Sequence, residues 1–524
     1  MMRLRLALSG ILAAVAGIAA GHLVAGFLAP ASSPVLAIGS TVIDLTPTPV
    51  KEWAIATFGT NDKLILQGSV LVVTLVLAAV AGLLARRRMP LAVGFIVLLT
   101  GLAGAAALLR PAARPLDVLP ALAAMAAGVT TLVWLVRLAR RASDEAVAKG
   151  DEATVDGPRG SKMTPAADSA AQRGTGRRGF IGGALGVTAL SVLAAVGGQL
   201  RAGAQTIKKV VLPAAADKAK PLPTGLETQV SGISPLRTPT EKFYRVDTNL
   251  TVPKVDVDSW TLEVGGMVDK PFTLTFAELA AMPLIERDIT MTCVSNEVGG
   301  GYIGAARWLG VRLTDVLDRA GIKGSPDQVL STAVDGFTIS TPLGVVRDGR
   351  DAMIAIGMNG AQLTDTHGFP ARLITPGLYG FVGATKWLTK LTLTTYAADQ
   401  AYWTKRQWAT DAPIKTSARI DTPAPLSTIQ AGMTAIGGVA WAQHRGVGKV
   451  EVKIDDGPWQ ATKLGPDVGV DYWRQWYLPW DAKTGLHRIS VRATDLKGQA
   501  QITARATPFP SGSSGIQEVV VTVA

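Results

Sequence analysis

The sequence predicts a multi-domain protein with an N-terminal bundle of transmembrane helices, an α+β domain and a C-terminal antiparallel β-sandwich. Three observations predict this order. Five long apolar runs lie within the first 200 residues. Residues 241–404 mix short β-type runs with helical ones, and residues 405–524 alternate apolar with polar residues. We therefore expect three folded parts, with a linker before the fifth apolar run and an extended tether after it.

The five apolar runs are long enough to cross a bilayer, which takes about 20 residues. They cover residues 4–28, 64–84, 90–109, 118–136 and 180–200. If the N-terminus is inside the cell, most flanking arginines face the cytoplasm, as the positive-inside rule requires. These are Arg3, Arg5, Arg86, Arg87, Arg88, Arg137, Arg140 and Arg141, whereas Arg110 and Arg114 depart from the rule. The pattern predicts a multi-pass protein of the cell membrane with four transmembrane helices in residues 1–138.

The segment between the fourth and fifth runs carries a second kind of signal. Residues 139–177 are rich in Ala, Gly, Asp, Lys and Ser without periodicity, which predicts a flexible cytoplasmic linker. Arg177 and Arg178, followed by Phe180 and a Gly-rich apolar run, resemble a twin-arginine export signal. An ordinary membrane helix with basic flanks is the alternative. Residues 178–200 are the predicted fifth transmembrane helix, and residues 202–204 could be a cleavage site.

Five crossings from an inside N-terminus leave the rest of the chain outside the cell membrane. Residues 201–240, rich in Pro, Lys and Thr, predict an extended tether. Residues 241–404 combine strand-like runs such as TLEVGG and ITMTCV with the helical run FAELAAM. Residues 405–524 contain the alternating runs KVEVKID and HRISVRATD, separated by turn residues at 455–457.

Composition excludes several classes of function. The formal charge is +12, but many arginines lie at the ends of apolar runs, so we expect no nucleic-acid binding. A single cysteine excludes intrachain disulfides, a CxxC redox pair, cysteine-held iron–sulfur clusters and a c-type haem. The four histidines have no pair at zinc-ligand spacing.

The single cysteine, Cys293, lies between the strand-like run ITMTCV and the loop SNEVGGG. An isolated free cysteine is most often a small buried apolar residue. A thiolate is also a soft ligand that suits copper, iron or molybdenum, and a nucleophile would need a base, for which His367 is the candidate. The residues themselves leave these interpretations open.

A second segment, residues 366–391, places Arg372 and Lys386 in a stretch that is otherwise apolar and contains four glycines. A buried arginine rarely lacks an anionic partner. The two cations, with glycine amides between them, could therefore form a phosphate cradle. A surface strand with scattered cations is an equally open interpretation.

Taken together, these segments resemble the sulfite-oxidase family of molybdopterin enzymes, which includes bacterial sulfoxide-reducing relatives. The resemblance covers residues 241–524. Its pieces are FYR at 243–245, TCVSN at 292–296, ARWLGVRLTDVL at 306–317 and MNGAQLTDTHGFPARLITPGLYG at 358–380. The resemblance implies a molybdopterin cofactor with molybdenum, a molybdopterin-binding domain over 241–404, and an immunoglobulin-like domain of the dimerisation type over 405–524. It therefore also implies a homodimer.

The same resemblance implies individual site residues. Cys293 would be the thiolate ligand to molybdenum. The other implied cofactor contacts are Tyr244, Arg245, Asp335, His367, Arg372, Ala384, Thr385 and Lys386. Arg474, in the run YWRQWYLPWD, would be a catalytic residue at the substrate pocket.

The sequence departs from the family pattern on the substrate side. Sulfite oxidases continue the cysteine loop with arginines, whereas here Asn296 is followed by Glu297 and Val298. A carboxylate in place of a guanidinium reverses the local charge. The run AYWTKRQW at 401–408 also lacks an expected histidine and tyrosine. An uncharged sulfoxide or N-oxide is therefore at least as reasonable a substrate as sulfite.

Electron supply requires a partner. Oxygen-atom transfer moves two electrons, and a bis-histidine haem cannot form in the first four apolar runs, which contain only His22. We expect an electron-transfer partner linked to a cytochrome or a quinone. The functional hypothesis is a membrane-anchored, outward-facing molybdopterin oxidoreductase that acts on a small molecule. The alternative is a non-enzymatic membrane-anchored binding or adhesion protein in which Cys293 only packs in a core.

Overall fold

The structure, a computed structural model, describes residues 2–58, 61–152, 175–203 and 208–524. The chain forms two compact units. One unit comprises Met1–Thr206 with Thr248–Val252, and the other comprises Ile207–Asp247 with Pro253–Ala524.

The first unit is helical, as the apolar runs predict. Its helices are α1 (Met2–Phe27), α2 (Pro34–Leu45), α3 (Thr48–Phe58), α4 (Asp62–Leu84), α5 (Met89–Leu108), α6 (Leu119–Glu152) and α7 (Thr175–Gly203). In the described part of the chain, five helical stretches are long and apolar enough to cross a membrane. They are Met2–Phe27, Asp62–Leu84, Met89–Leu108, Pro115–Ser143 and Arg178–Arg201.

Small residues let α1 and α4 cross at close range. A Cβ atom added at Gly10 would overlap the carbonyl of Ala78, and one added at Gly82 would overlap the carbonyl of Leu6. Apolar helices gain little from excluding lipid, so their association depends on backbones that approach closely. This crossing therefore has the packing expected of helices in a membrane.

The helix before the predicted linker is longer than the sequence suggested. Helix α6 continues to Glu152, so the chain is still helical where a flexible segment was predicted from residue 139. Ala139 and Ala142 are buried, so the apolar stripe of α6 extends past its arginines. Residues 153–174 lie outside the described residues, as does the side chain of Arg177. Arg178 is exposed in the first turn of α7, and Ala204 of the predicted cleavage site is not among the described residues.

The second unit contains the predicted α+β domain, which is built from two sheets. One sheet has the order β2 (Phe272–Thr275), β1 (Thr261–Gly266), β10 (Leu388–Thr394), β5 (Gln328–Ala333) and β6 (Thr338–Pro342). The other has β3 (Leu284–Thr292), β4 (Ile303–Arg312), β7 (Met353–Met358) and β8 (Ala361–Gln362), with β9 (Arg372–Ile374) paired to β7. Short helices α8 (Phe276–Ala280), α9 (Leu313–Ala320), α10 (Leu343–Val346) and α11 (Gly380–Gly383) connect them. One buried apolar core joins both sheets.

The C-terminal region is β-rich, as predicted, and also consists of two sheets. One has the order β11 (Ser417–Thr422), β13 (Gly432–Trp441), β17 (Arg474–Ala482) and β16 (Lys463–Leu464). The other has β12 (Thr428–Ile429), β19 (Gln517–Val523), β18 (Gly485–Asp495), β14 (Val447–Ile454) and β15 (Gln460–Ala461). Alternate residues of both sheets, including Ile436, Trp476 and Val491, share one core.

The segment predicted as a tether is extended, but most of it packs against the rest of the second unit, to which it belongs. We call residues 208–247 the strap. Asp217 forms ion pairs of 2.6 Å with Arg287 and 2.9 Å with Arg312. Further along, Leu226 and Ile233 belong to a small apolar cluster. The sequence did not predict this packing because the strap's partners lie far away along the chain.

Candidate active site

Cys293 directly follows β3 at the start of a closed loop. Its backbone N–H donates to the carbonyl of Tyr302, at 2.9 Å, and Tyr302 in turn donates its N–H to the side-chain oxygen of Asn296, at 2.8 Å. The N–H of Asn296 returns to the carbonyl of Cys293, at 3.1 Å. Gly299 has a φ of +80°, a conformation that favours glycine at this turn. The loop is therefore held by its own backbone and by one buried amide.

The thiol of Cys293 is only 8% exposed. Burial raises its pKa, and hydrogen bonds from Ser295 and the positive charge of Lys386 oppose that shift. Glu297, by contrast, is exposed. The Glu297 carboxylate therefore lies on the solvent side of the loop, whereas Cys293 is buried.

The HGFPAR segment turns sharply before β9. Gly368 has a φ of +101°, and a Cβ there would lie 2.9 Å from the Cβ of Lys386. Only glycine combines this conformation with such a close approach. The turn brings Lys386 against the start of the segment and places Arg372 in the first position of a buried strand.

Arg372 is a buried cation for which the described residues provide no carboxylate partner. It is 5% exposed, and its Nη1 donates to the carbonyl of His367 at 3.2 Å. Its guanidinium lies 5.2 Å from the ring centroid of Trp308, and its Nε has no hydrogen-bond partner within the described chain. Burial lowers its pKa to about 10. An uncompensated, buried guanidinium with a free donor is suited to a phosphate or another planar anion.

Lys386 is the second cation of this cluster. Its Nζ donates to the Asp247 carboxylate at 2.7 Å and to the carbonyl of Thr366 at 3.3 Å. Burial lowers its pKa to about 8, and the negative charge of Asp247 opposes that shift. Arg245 donates to the same carboxylate at 2.8 Å. Two cations thus share one carboxylate, so the cluster keeps an excess of positive charge.

His367 lies beside these cations as a neutral imidazole. Burial and the nearby positive charges of Arg372 and Lys386 together lower its pKa to about 4, against the opposing effect of the hydrogen bond to Thr240. Its Nε2 lies 3.0 Å from the carbonyl of Thr240, which can only accept, so Nε2 carries the proton. Nδ1 is therefore left as an acceptor that can receive a hydrogen bond.

Tyr244 enters the site from the strap. Its ring stacks on Phe243 at 5.2 Å, and Phe243 contacts His367 edge to face at 5.6 Å. Burial raises the pKa of the Tyr244 hydroxyl well above its usual range; the negative form of Cys293 raises it further and Arg372 opposes. The phenol is therefore a neutral donor near the thiol and the guanidinium.

Residues 384 and 385 line the approach to Lys386. Ala384 is half-buried just after α11. Thr385 is 1% exposed; its carbonyl accepts from the N–H of Leu373 at 2.8 Å, and its Oγ1 lies 2.6 Å from the hydroxyl of Ser331. The structure thus ties the strand of Arg372 to the segment of Lys386.

Two predicted site residues have recorded contacts outside this cluster. Asp335 accepts from the backbone N–H of Phe337 at 3.0 Å and so closes the turn between β5 and β6. Arg474 donates to the carbonyl of Gly465 at 3.1 Å and pairs with Asp467 at 3.0 Å. Within the described chain, these contacts stabilise local structure and none of them is with the Cys293 loop.

Sequence reasoning missed several residues that complete the site. Asp247 compensates Lys386, Trp308 covers Arg372, and Thr240 fixes the tautomer of His367. Asp247 lies two residues after Arg245, which the sequence already assigned to the site. Because a lysine shielded from water needs a carboxylate partner, Asp247 could have been predicted as the partner of Lys386. Trp308 and Thr240 gave no such signal, since only the fold brings them to the site.

Part of this chain matches a known protein family. Residues 249–403 match the protein family described as "Oxidoreductase molybdopterin binding domain". Nitrate reductase (NADH) 1 of Oryza sativa subsp. japonica is 27% identical over 314 residues, which cover 49% of this chain and 33% of that protein. Mitochondrial sulfite oxidase of Homo sapiens is 28% identical over 293 residues, which cover 46% of this chain and 53% of that protein.

One solved structure is similar over a larger share. The sulfane dehydrogenase SoxCD from Paracoccus pantotrophus has 22% sequence identity and a TM-score of 0.48, covering 55% of this chain and 83% of that chain. The chain spans between a third and about half of the length of the two curated relatives above.

Proposed function

We propose, from the premise that this chain belongs to the sulfite-oxidase-like family of molybdenum-cofactor oxidoreductases, that it is a membrane-anchored enzyme of oxygen-atom transfer. Its substrate would be a small molecule reached from outside the cytoplasm. The four helices of residues 1–138 and the helix of residues 178–200 would hold the enzyme in the membrane. The observation that carries the proposal is the buried, uncompensated guanidinium of Arg372 in the same cluster as Lys386.

The residues of the site fit a phosphorylated pterin. Arg372 and Lys386 would bind its phosphate, because Arg372 is buried, the Lys386 side chain is only 11% exposed, and the described residues provide them with one carboxylate partner, Asp247. Nδ1 of His367 would accept, and the hydroxyl of Tyr244 would donate, to the heterocycle. Neutral polar groups in these places orient a ligand without adding further charge to the cluster.

Bound molybdenum cofactor would supply a centre that exchanges an oxygen atom with the substrate and takes up or releases two electrons. Cys293 would be its protein ligand, because a thiolate is the soft ligand that suits this metal. The alternative interpretation, a cysteine that only packs in a core, accounts for its burial. It does not account for the proximity of Lys386, which favours the thiolate. Membership of an oxidoreductase family likewise disfavours the non-enzymatic adhesion protein.

The charge around the cysteine loop favours an uncharged substrate, such as a sulfoxide or an N-oxide, over sulfite. Glu297 is exposed on this loop, where it would repel a dianion. Arg474, the guanidinium that could have compensated, is paired with Asp467. Reduction of such a substrate needs two electrons from outside this chain, for which we propose a cytochrome- or quinone-linked partner.

Export and assembly are further parts of the proposal. The twin arginines 177 and 178 would direct a folded, cofactor-loaded domain across the membrane. The C-terminal β-rich region would be the immunoglobulin-like, dimerisation-type domain of the family, since two packed sheets share its core.

The test compares wild-type protein with Cys293→Ser and, as a matched control, Glu297→Gln, which alters an exposed side chain of the loop but keeps the sulfur and its hydrogen bonds. We expect wild type and the control to contain molybdenum and pterin and to show thiolate-to-metal absorption. Cys293→Ser should lose that absorption and all turnover of sulfoxides or sulfite with artificial electron carriers. Full metal-dependent turnover in Cys293→Ser would contradict the assignment.

A further inference from the structure

The C-terminal β-rich domain, residues 405–524, forms hydrogen bonds to β3, the strand that ends just before Cys293. The N–H of Thr290 donates to the carbonyl of Asp471 at 2.9 Å, and the hydroxyl of Thr290 accepts from the N–H of Trp473 at 2.8 Å. Thr290 is 1% exposed, so both bonds are shielded from water. The end of β3 is thereby tied to a segment about 180 residues further along the chain.

Gln443 reaches the last residue of this strand. Its Nε2 lies 3.2 Å from the hydroxyl of Thr292 and 3.5 Å from the carbonyl of Thr290. The side chain of Gln443 has no exposed surface. Thr292 directly precedes Cys293. Among the described residues, Gln443 therefore makes the side-chain contact from the C-terminal domain that lies nearest to Cys293 in sequence.

The same domain also holds the loop after the cysteine. The hydroxyl of Ser513 donates to the carbonyl of Asn296 at 2.6 Å, and Nη1 of Arg419 donates to the carbonyl of Gly300 at 2.9 Å. Both acceptors are backbone carbonyls, so these bonds position the loop itself. Cys293 is thus bracketed by contacts from one domain on both sides.

Two of these contacts use the side chains of Thr290 and Thr292, which lie on the same face of β3 because side chains alternate along a strand. The other contacts use backbone groups of Thr290 and of the loop after Cys293. Met291, on the opposite face of β3, belongs to the core of the α+β domain. The C-terminal domain therefore holds the backbone on either side of Cys293, and so sets where the sulfur is held.

We propose that the C-terminal domain is a positioning element for Cys293 and that Gln443 is the positioning residue that fixes the end of the strand. This inference rests on the proposed function, in which Cys293 is a metal ligand. It adds to the dimerisation role that the resemblance implies. The physical reason is that a ligand is effective only when neighbouring contacts hold its orientation.

The first test uses the full-length, cofactor-free protein. Because Cys293 is the only cysteine, alkylation by a small maleimide under native conditions reports on this thiol alone. Gln443→Leu removes the amide while keeping its approximate volume, so the strand end should open more often and alkylation should accelerate about tenfold. Thr292→Val, which removes the other partner, should give a similar acceleration, and the double variant should add little to either.

Gln475→Leu is the matched control. Gln475 is also a fully buried glutamine of the C-terminal domain, and it hydrogen-bonds Leu226, Glu227 and Ser234 of the strap. Its loss removes buried hydrogen bonds away from the cysteine loop. We expect its alkylation rate to stay near that of wild type. Equal acceleration in Gln443→Leu and Gln475→Leu would overturn the inference, because both would then report general loosening.

The second test uses the cofactor-loaded protein. Gln443→Leu should shift the Mo(V) electron paramagnetic resonance signal and lower kcat more than it changes KM, whereas Gln475→Leu should do neither. A wild-type signal with thiolate character that is unchanged in Gln443→Leu overturns this inference and leaves the proposed function standing. A wild-type protein without thiolate character overturns both.

Discussion

Replacing Arg372 by methionine should have opposite effects on stability and on cofactor retention. In the cofactor-free protein the guanidinium is buried without a carboxylate partner among the described residues, so its removal relieves a cost. In the loaded protein the same change would remove the proposed donor to the pterin phosphate. We therefore expect Arg372→Met to be somewhat more stable than wild type without cofactor and to lose the pterin.

The magnitude follows from the pKa. Burial lowers the pKa of Arg372 from 12.5 to about 10, which corresponds to a cost of about 3 kcal/mol at neutral pH, where the group stays charged. Methionine forfeits the hydrogen bond to the carbonyl of His367 and the contact with Trp308, together worth about 2 kcal/mol. The net expectation is a stabilisation of about 1 kcal/mol, within the range measured when apolar residues replace buried charges.

The assay is urea denaturation of full-length, cofactor-free protein in detergent, followed by tryptophan fluorescence of the second unit. Arg287→Met is the control, because Arg287 already pairs with Asp217 and Asp351 and its loss should destabilise. Pterin content after expression in a molybdopterin-producing host gives the second readout. A destabilisation of Arg372→Met by about 2 kcal/mol or more would refute the reasoning, because the guanidinium would then be compensated within the protein itself.

Three further outcomes are expected. Because the pKa of His367 is lowered to about 4, the unfolded state binds more protons than the folded state between pH 4 and 6.5. The free energy of unfolding of wild type should therefore fall by about 2 kcal/mol more than that of His367→Gln between pH 7 and pH 5, measured by denaturation at both pH values. Equal losses in the two proteins would contradict this. Replacing Arg177 and Arg178 by lysines should leave the second unit inside the cell, and unchanged sensitivity to added protease at the cell surface would count against the export signal. Gly82→Leu should prevent α1 and α4 from crossing, because its side chain meets the carbonyl of Leu6, and should lower the yield of folded protein in detergent, whereas Gly94→Leu, with open space around it, should not.

Much of the chain could be predicted because its signals are local. Apolar runs of membrane length became helices, and alternation after residue 405 became strands. For the HGFPAR segment the sequence left a phosphate cradle and a surface strand equally open, and Arg372 is buried. Helix α6 continues to Glu152, beyond residue 139 where the sequence predicts the linker to begin, because its apolar face extends past the arginines.

The residues that contact one another at the site could not be predicted from short sequence patterns. Asp335 and Arg474 matched short motifs, but their recorded hydrogen bonds serve a turn and a neighbouring loop. Residues 201–240 were predicted to be an extended tether, yet the carbonyl of Thr240, the last of them, accepts a hydrogen bond from His367. A spacing pattern cannot state which distant residue will satisfy a buried group.

The sequence by itself determined where apolar surface must be buried, which stretches turn, and that one thiol and a few cations stand in unusual surroundings. Only the tertiary structure decided that Arg372 has no counter-charge among the described residues and that Gln443 braces the strand of Cys293. The physical reason is range. Helix and strand periodicity act over a few residues, whereas charge compensation and hydrogen bonding of buried groups depend on contacts between parts of the chain that are more than 100 residues apart.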